Sequence, residues 1–201
     1  ERFSDFSHLP EIFQELWEEK INITALVNNA GYATFGPFIE TDLDEELKMM
    51  HVNMIALAHL TKLFLPSMID NEDGKILNVA STAAFQPGPF MAVYYATKAF
   101  VLSFTEAIAN ELKNTGVTVT ALCPGPTKSG FQKRAHMENS KLVQGKIMDA
   151  ELVARLGYKG MVKGKTVVVT GVRNKILTET IRITPRRVAT NIVRRLQENK
   201  K

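Results

Sequence analysis

Residues 75–98, KILNVASTAAFQPGPFMAVYYATK, decide how the chain is expected to fold. The stretch opens with an apolar run, 75–81, that lacks polar alternation, which is typical of a strand buried on both faces of a parallel sheet. A loop rich in proline and glycine covers 82–91. A helix is then predicted from 93 to 114, because Gly116 follows its last turn. This strand–loop–helix order predicts one unit of an α/β fold.

The same alternation continues on both sides of this stretch. Short β-rich runs and amphipathic helical stretches follow one another, and the strands again lack polar alternation. The chain is therefore expected to form an α/β protein with a Rossmann-like, doubly wound parallel sheet. Helices are predicted at 8–20, 42–69, 93–114, in one or two segments of 130–158, and at 186–198, and strands at 21–27, 75–81, 117–122 and 165–169.

The composition is that of an ordinary globular protein of 201 residues, 45% apolar and 23% charged. This length suits one domain, 1–201. Apolar runs are interrupted well before about 18 residues, so no transmembrane helix is expected, and no signal peptide is visible at the start. The one cysteine, Cys123, cannot form an internal disulfide and is expected to be buried. These features favour a cytoplasmic protein.

A tyrosine and a lysine at the start of the helix carry the chemical signal. Tyr94 and Lys98 are four residues apart, so they share a helical face. A phenol has an ordinary pKa of about 10, and a nearby ammonium lowers that pKa towards the range useful for acid–base catalysis. Ser81 ends the preceding strand, and strand ends and helix starts meet at one edge of an α/β sheet. Ser81 and Tyr94 are therefore expected to meet over one substrate carbonyl.

With the other motifs in place, the chain resembles the short-chain dehydrogenase/reductase family. The elements that carry the resemblance occur in the family's order and spacing, and they are Asn28-Asn29-Ala30-Gly31, Asn53, Ser81, the Tyr94/Lys98 pair and Pro124-Gly125. The resemblance covers nearly the whole chain, which looks like the C-terminal two-thirds of such a domain. It implies an NAD(P)-dependent oxidoreductase that interconverts a carbonyl and an alcohol.

The resemblance also implies roles for four catalytic residues. Tyr94 is the proton donor in reduction and the acceptor in oxidation. Lys98 lowers the pKa of Tyr94 and hydrogen-bonds the nicotinamide ribose. Ser81 polarises the substrate oxygen, and Asn53 holds a water that links Lys98 to solvent. Tyr95 is a poor alternative, because the residue four positions after it is Ala99.

A second set of residues is implied to line the nicotinamide cofactor. Besides Tyr94 and Lys98, this set comprises Asn28, Ala30, Gly31, Pro124, Gly125, Ser129 and, as a weaker candidate, Thr127. Simpler interpretations stay open for several of these residues. Asn53 could satisfy backbone groups, Ser81 could cap a helix, and Pro124-Gly125 could be only a turn.

The family's Gly-rich phosphate-binding turn is not found before Asn28. The stretch 164–171, GKTVVVTG, resembles its opening but has no further glycines, so we interpret it as the last strand. We therefore expect the N-terminal part of the sheet to be missing, the strand at 21–27 to form an edge, and NAD or NADP to bind weakly. The alternative function is a catalytically silent binding or oligomerisation module.

The C-terminal third is expected to carry a substrate lid by the same resemblance, and an excess of Lys and Arg over acidic residues marks a basic tail. The lid is placed at about 126–160, where an apolar pocket or mere packing could involve Met137, Leu142, Val143, Met148 and Tyr158. The tail, 172–201, could lie on a membrane surface or dock on its own domain, and nucleic acid is not an expected partner. Helices 42–69 and 93–114 are expected to form a homo-oligomer.

Overall fold

The computed structural model describes residues 9–135, 137, 140 and 147–198, and the strands within them form one four-stranded parallel sheet and one two-stranded sheet. The larger sheet has the order β1-β2-β3-β6, with β1 at one edge. Its α/β architecture and parallel pairing confirm the predicted fold class. The strands are β1 (Ala25–Asn28), β2 (Gly74–Val79), β3 (Val117–Cys123), β4 (Thr127–Lys128), β5 (Met148–Asp149) and β6 (Val167–Val169).

Helices alternate with these strands along the chain. They are α1 (Leu9–Glu18), α2 (Leu43–Met50), α3 (Leu57–Asp70), α4 (Ala92–Glu111), α5 (Phe131–Arg134), α6 (Ala150–Val162), α7 (Val172–Ile183) and α8 (Arg186–Gln197). Alternate residues of β3 point to opposite faces of the sheet. Val119 and Ala121 pack in clusters with α3 and α4, whereas Leu122 packs with Val153 and Met161 of α6. Helices therefore cover both faces.

One continuous helix, Leu43–Asp70, joins α2 to α3 through a π-helical segment, His51–Ala56. Asp42 caps its start by accepting a hydrogen bond from the Glu45 amide at 2.8 Å. The length agrees with the predicted helix, but the π-helical segment was not predicted. With a mean hydropathy of 1.4, this helix is also long and apolar enough to span a membrane, which we had not expected. It packs buried side chains, including Phe64 and Met68, into the core, as a core helix does.

Several boundaries differ from the predictions. The strand expected at 21–27 is paired only over Ala25–Asn28, and the strand at 165–169 only over Val167–Val169. The pairing of β4 with β5 and the helix α7 were not predicted. The two-residue strands are too short to give a sequence pattern, and the apolar residues of α7 are mostly exposed, so they do not mark a buried stripe.

Candidate functional site

The carboxyl ends of β2 and β3 and the start of α4 converge on one edge of the sheet. Ser81 lies two residues after β2, Pro124 directly follows β3, and Tyr94 lies in the first turn of α4. The Ser81 hydroxyl donates to the Pro124 carbonyl oxygen at 3.4 Å, which links the two strand ends. Ligands of open α/β sheets bind at this kind of edge. The structure thus brings the predicted serine and tyrosine together.

Ser81 caps a short helix and also contacts Tyr94. Its Oγ accepts a hydrogen bond from the Ala83 amide at 3.1 Å and so caps the short 3₁₀ helix Thr82–Phe85. It also hydrogen-bonds the side chain of Tyr94, which lowers the tyrosine pKa. The capping interaction fixes the hydroxyl beside Tyr94, so the simpler interpretation of Ser81 and the chemical one are compatible.

Tyr94 and Lys98 lie on the same face of α4, as their spacing predicts. The Lys98 ammonium is 5.8 Å from the centre of the Tyr94 ring and donates to the Val79 carbonyl oxygen at 2.8 Å. Burial lowers the pKa of Lys98 to about 8, because the charged form is poorly solvated there. A lysine with this pKa changes protonation close to neutral pH.

The pKa of Tyr94 departs from expectation in direction. Burial raises it well above the ordinary value of a phenol, and the bond from Ser81 offsets only part of that rise. We expected Lys98 to lower it, but the hydroxyl is enclosed in an apolar cluster, with the Phe131 ring centre 5.4 Å from that of Tyr94. Desolvation therefore dominates, and Tyr94 is a protonated acid in this state.

Asn53 lies in the π-helical segment, a type of helix irregularity that is frequent at functional sites. Its side-chain amide is buried and hydrogen-bonds both backbone groups of Tyr32, at 3.0 and 3.2 Å, and the Thr97 hydroxyl at 3.1 Å. The simpler interpretation, satisfaction of backbone groups, is thus the one that the contacts support. The predicted water link from Asn53 to Lys98 stays a prediction, and Gly31 lies against both residues.

Gly31 is the closest point between the loop after β1 and the lysine. A Cβ atom at this position would lie 3.0 Å from Asn53 Oδ1 and 3.3 Å from Lys98 Nζ. Only glycine lets the backbone come this near to both groups without displacing them. Ala30 and Gly31 are both exposed, so this loop offers an open backbone surface beside Lys98.

Asn28 has a structural role that the motif did not reveal. Its amide donates to Asn78 Oδ1 at 2.8 Å and to the Thr61 hydroxyl at 3.2 Å, and Asn78 donates in turn to Thr105 at 2.9 Å. This buried polar chain ties β1 and β2 to α3 and α4. The side chain of Asn28 therefore faces the interior, and the prediction that this residue lines the cofactor is left to its backbone.

The residues after β3 form a turn with defined contacts. The Pro124 carbonyl oxygen accepts from the Thr82 amide at 2.9 Å, and Thr127 donates to the Gly125 carbonyl oxygen at 2.9 Å. A side chain at Gly125 would collide with Asn174 of α7. The exposed Ser129 accepts from the Phe131 amide at 3.3 Å. Both hydroxyl candidates thus have local partners, and their role toward a carboxamide stays a prediction.

An apolar cluster surrounds Tyr94 and includes side chains from distant parts of the chain. Its members include Tyr32, Met49, Met91, Tyr95, Met137 and Val193, with Phe131 packed against them. Of the suggested pocket residues, Met137 belongs to this cluster, Met148 packs on the other face of the sheet, and Tyr158 is exposed. Leu142 and Val143 lie outside the described residues. Two grooves, of about 230 and 260 Å³, lie beside Phe85 and are not lined by Ser81, Tyr94 or Lys98.

Sequence reasoning missed the partner of Tyr95. Gln197, at the end of α8, is fully buried and donates to the Tyr95 hydroxyl at 2.7 Å. Burial raises the pKa of Tyr95 to about 12, so this hydroxyl is neutral. A polar residue in a basic helix gives no signal of such a contact. Thr97, whose hydroxyl accepts a hydrogen bond from Asn53, was also missed. Its position between Tyr94 and Lys98 was a weak sequence signal for a place at the site.

The site fits one half of a nicotinamide dinucleotide. The open backbone at Gly31, the Lys98 ammonium and the turn at Pro124-Gly125 lie where a ribose and a nicotinamide could be held, and their role toward a cofactor stays a prediction. The stretch 164–171 contains β6, paired with β3, which confirms it as the last strand of the sheet. Within the described residues, we find no Gly-rich turn that would cradle the pyrophosphate.

Comparison with known proteins agrees with this architecture. The family model for short chain dehydrogenase matches residues 3–140. Ketoacyl reductase HetN of Nostoc sp. is 37% identical over 119 residues, which cover 59% of this chain and 42% of that protein. Estradiol 17-beta-dehydrogenase 11 of Mus musculus is 31% identical over 189 residues, which cover 91% of this chain and 62% of that protein. The chain thus spans less than two thirds of the length of these curated relatives.

Solved structures show the same fold. A short-chain dehydrogenase from Sphingobium yanoikuyae in complex with NADPH superposes with a TM-score of 0.77 at 25% identity, covering 90% of this chain and 71% of that chain. A 7beta-hydroxysteroid dehydrogenase superposes with a TM-score of 0.79 at 21% identity, covering 95% and 73%.

Proposed function

The chain belongs to the short-chain dehydrogenase family, and from that membership we propose that it interconverts a carbonyl and an alcohol with NAD or NADP. The observation that carries the proposal is the placement of Ser81, Tyr94 and Lys98 at one edge of the sheet. Ser81 bonds Tyr94, and the Lys98 ammonium lies over the same tyrosine ring at 5.8 Å. The family membership alone would not assign these roles.

In the proposed reduction, Ser81 and Tyr94 hold the substrate oxygen between their hydroxyl groups. Tyr94 then donates its proton to that oxygen as the alcohol forms. A bound nicotinamide supplies the hydride for this step and accepts it in the reverse direction. The raised pKa of Tyr94 keeps its phenol protonated at neutral pH, so the proton to be donated is present in this state. The Lys98 ammonium stabilises the phenolate left behind.

The cofactor would be held by groups already near Lys98. Lys98 and the backbone at Gly31 face the ribose, and the Pro124-Gly125 turn passes along the nicotinamide in this proposal. The NADPH bound to the Sphingobium protein supports the choice of cofactor class. NAD and NADP both remain within the proposal, because the residues that distinguish them belong to a strand outside the matched motifs.

The apolar surroundings of Tyr94 favour a lipophilic substrate. Met91, Met137, Phe131 and Val193 pack around the tyrosine, so a substrate that reaches Tyr94 would meet apolar side chains and few hydrogen-bonding groups. The names of relatives agree with this class, since they include very-long-chain 3-oxoacyl-CoA reductases of Anas platyrhynchos and Bos taurus. We therefore propose a ketone carried on an apolar body.

We also propose a homo-oligomer in the cytoplasm. The two long helices expose Leu47, Ile55 and Phe100 to between 40% and 46%, which is the apolar surface that a helix-to-helix interface requires. Phe100 is stacked on Phe104 at 5.7 Å, so part of this surface is already ordered.

The direct test is turnover of NADPH or NADH with a panel of apolar ketones. We expect consumption of the reduced cofactor that depends on ketone and enzyme concentration. The catalytic proposal would be contradicted if a form of the protein that contains this chain binds the cofactor but reduces no member of the panel. That result would favour the alternative function, a silent binding module.

A further inference from the structure

Helix α8 docks on the domain through a narrow stripe. Ala189, Val193 and Gln197, spaced four residues apart, are 5%, 7% and 0% exposed. Val193 packs in the cluster around Tyr94, and Gln197 donates to the Tyr95 hydroxyl. This stripe holds the helix in place, although it consists of one small, one medium and one polar side chain.

The larger apolar side chains of α8 form a second stripe beside the first. Val188, Ile192 and Leu196 are also spaced four residues apart, and they are 47%, 50% and 44% exposed. A helix that served only its own domain would turn its largest apolar residues inward. Here the domain leaves them half in water. Ile183, two residues before Pro185, is 86% exposed and adds to the apolar surface near the start of α8.

Arginines lie on the same helix as this apolar stripe, and α8 contains no acidic residue. Arg194 pairs with Glu198 at 3.3 Å and lies over the Phe90 ring at 5.1 Å. Arg186, Arg187 and Arg195 form no ion pair in the described part of the chain, and all three are exposed. The surface therefore combines solvent-exposed positive charge with unburied apolar area.

We propose that α8 binds the surface of an anionic lipid bilayer. Val188, Ile192 and Leu196 enter the boundary between headgroups and acyl chains, and Arg187 and Arg195 extend to the lipid phosphates. Nucleic acid would leave the apolar stripe unused. A second copy, related by a two-fold axis through this stripe, would bring the arginines of both copies together. An anionic bilayer satisfies both the charge and the apolar area, and the domain stays docked through the neighbouring stripe of Ala189, Val193 and Gln197.

Sedimentation with lipid vesicles tests this proposal on the whole chain. We expect binding to vesicles of phosphatidylcholine with phosphatidylglycerol, weak binding to phosphatidylcholine alone, and loss of binding at high salt. The double variant Arg187→Glu/Arg195→Glu should lower the partition coefficient at least about tenfold, since each arginine near an anionic surface contributes about 1 kcal/mol. Arg155→Glu/Lys159→Glu, a double charge reversal at two exposed residues of α6, is the control with the same change in net charge.

A second pair of variants tests the apolar stripe. Val188→Ser/Ile192→Ser should also weaken binding about tenfold, whereas Ile39→Ser, at a 93% exposed isoleucine outside α8, should not. Thermal unfolding of each variant checks that the fold is kept. Equal binding to neutral and anionic vesicles, unchanged binding of the charge variant, or a dimer that both α8 variants dissociate in place of vesicle binding would overturn the proposal.

Discussion

The side-chain amide of Asn53 is hydrogen-bonded to Tyr32 at both of its ends: Nδ2 donates to the Tyr32 carbonyl oxygen, and Oδ1 accepts from the Tyr32 amide. The same Nδ2 donates to Thr97, whose hydroxyl donates to the Tyr94 carbonyl oxygen at 2.7 Å. Asn53 thus connects the loop after β1 to the first turn of α4. It acts on the site as a positioning residue.

Replacement of Asn53 by alanine should destabilise the fold. Three hydrogen bonds are lost and the buried Tyr32 backbone groups are left unpaired, so we expect the free energy of unfolding to fall by about 2–4 kcal/mol. Urea denaturation measures this loss. Asn110→Ala, at an exposed asparagine of α4, is the control and should change stability by less than about 0.5 kcal/mol. Equal effects of the two substitutions would contradict the positioning role.

The lowered pKa of Lys98 predicts a pH-dependent contribution to stability. Between the folded value of about 8 and the unfolded value of about 10.4, the unfolded chain binds a proton that the folded chain does not. Stability due to Lys98 therefore rises with pH in this window and is lowest below pH of about 8. The unfolding free energy of the wild type minus that of Lys98→Met should increase with pH across the window. A difference that stays constant or decreases would show that Lys98 is not desolvated.

If the long helices form the proposed oligomer interface, charged substitutions on them should lower the molecular mass of the protein in solution. Light scattering after size-exclusion chromatography should give a multiple of the chain mass for the wild type. Ile55→Glu/Phe100→Glu should shift the protein toward the mass of one chain, because two charges would be buried in the interface. Ile39→Glu, on an exposed loop, serves as the control. A wild type of single-chain mass would contradict the proposal.

Much of the fold follows from the sequence because buried parallel strands and amphipathic helices have different periods. The run around Ile76 has no polar alternation, and its strand is buried on two faces. The run around Val119 alternates with Thr118 and Thr120, but it ends in the apolar residues Ala121–Cys123, and its strand is also largely buried on two faces. The register of short strands such as β4 and β5 depends on contacts distant in sequence, so no local pattern predicts it. The π-helical segment, His51–Ala56, likewise leaves no mark in the spacing of apolar residues, so the sequence does not predict it.

The sequence predicts which residues meet at the site, but it does not predict the direction in which their pKa values shift. Spacing placed Tyr94 and Lys98 on one helical face, and strand order placed Ser81 beside them. Burial raises the pKa of Tyr94, and the cluster that buries it includes Phe131 and Val193, far along the chain. The contact of Gln197 with Tyr95 spans 102 residues, and its residue types carry no spacing rule.

Because the proposed site has groups for the ribose and nicotinamide but none for the pyrophosphate in the described part of the chain, we expect this chain by itself to bind NADPH weakly. Gly31 and Lys98 can face a ribose, but a pyrophosphate is ordinarily held by a Gly-rich turn at a helix N-terminus. Titration calorimetry of the 201-residue chain with NADPH should give an affinity weaker than micromolar. A family member that carries the Gly-rich turn, measured in the same buffer, is the reference. Micromolar binding by this chain would show that other residues hold the pyrophosphate.

The central claim is that Tyr94 transfers the proton in the reduction of a carbonyl. Tyr94→Phe should be made in a form of the protein that contains this chain and shows turnover. It should lower kcat about 10²–10⁴-fold, because the phenolic proton is lost and the ring is kept. Its affinity for NADPH should stay within about twofold of the wild type, since Lys98 and Gly31 are untouched. Tyr95→Phe, which removes a neighbouring hydroxyl bonded to Gln197, should lower kcat far less. Turnover of Tyr94→Phe close to that of the wild type would contradict the account.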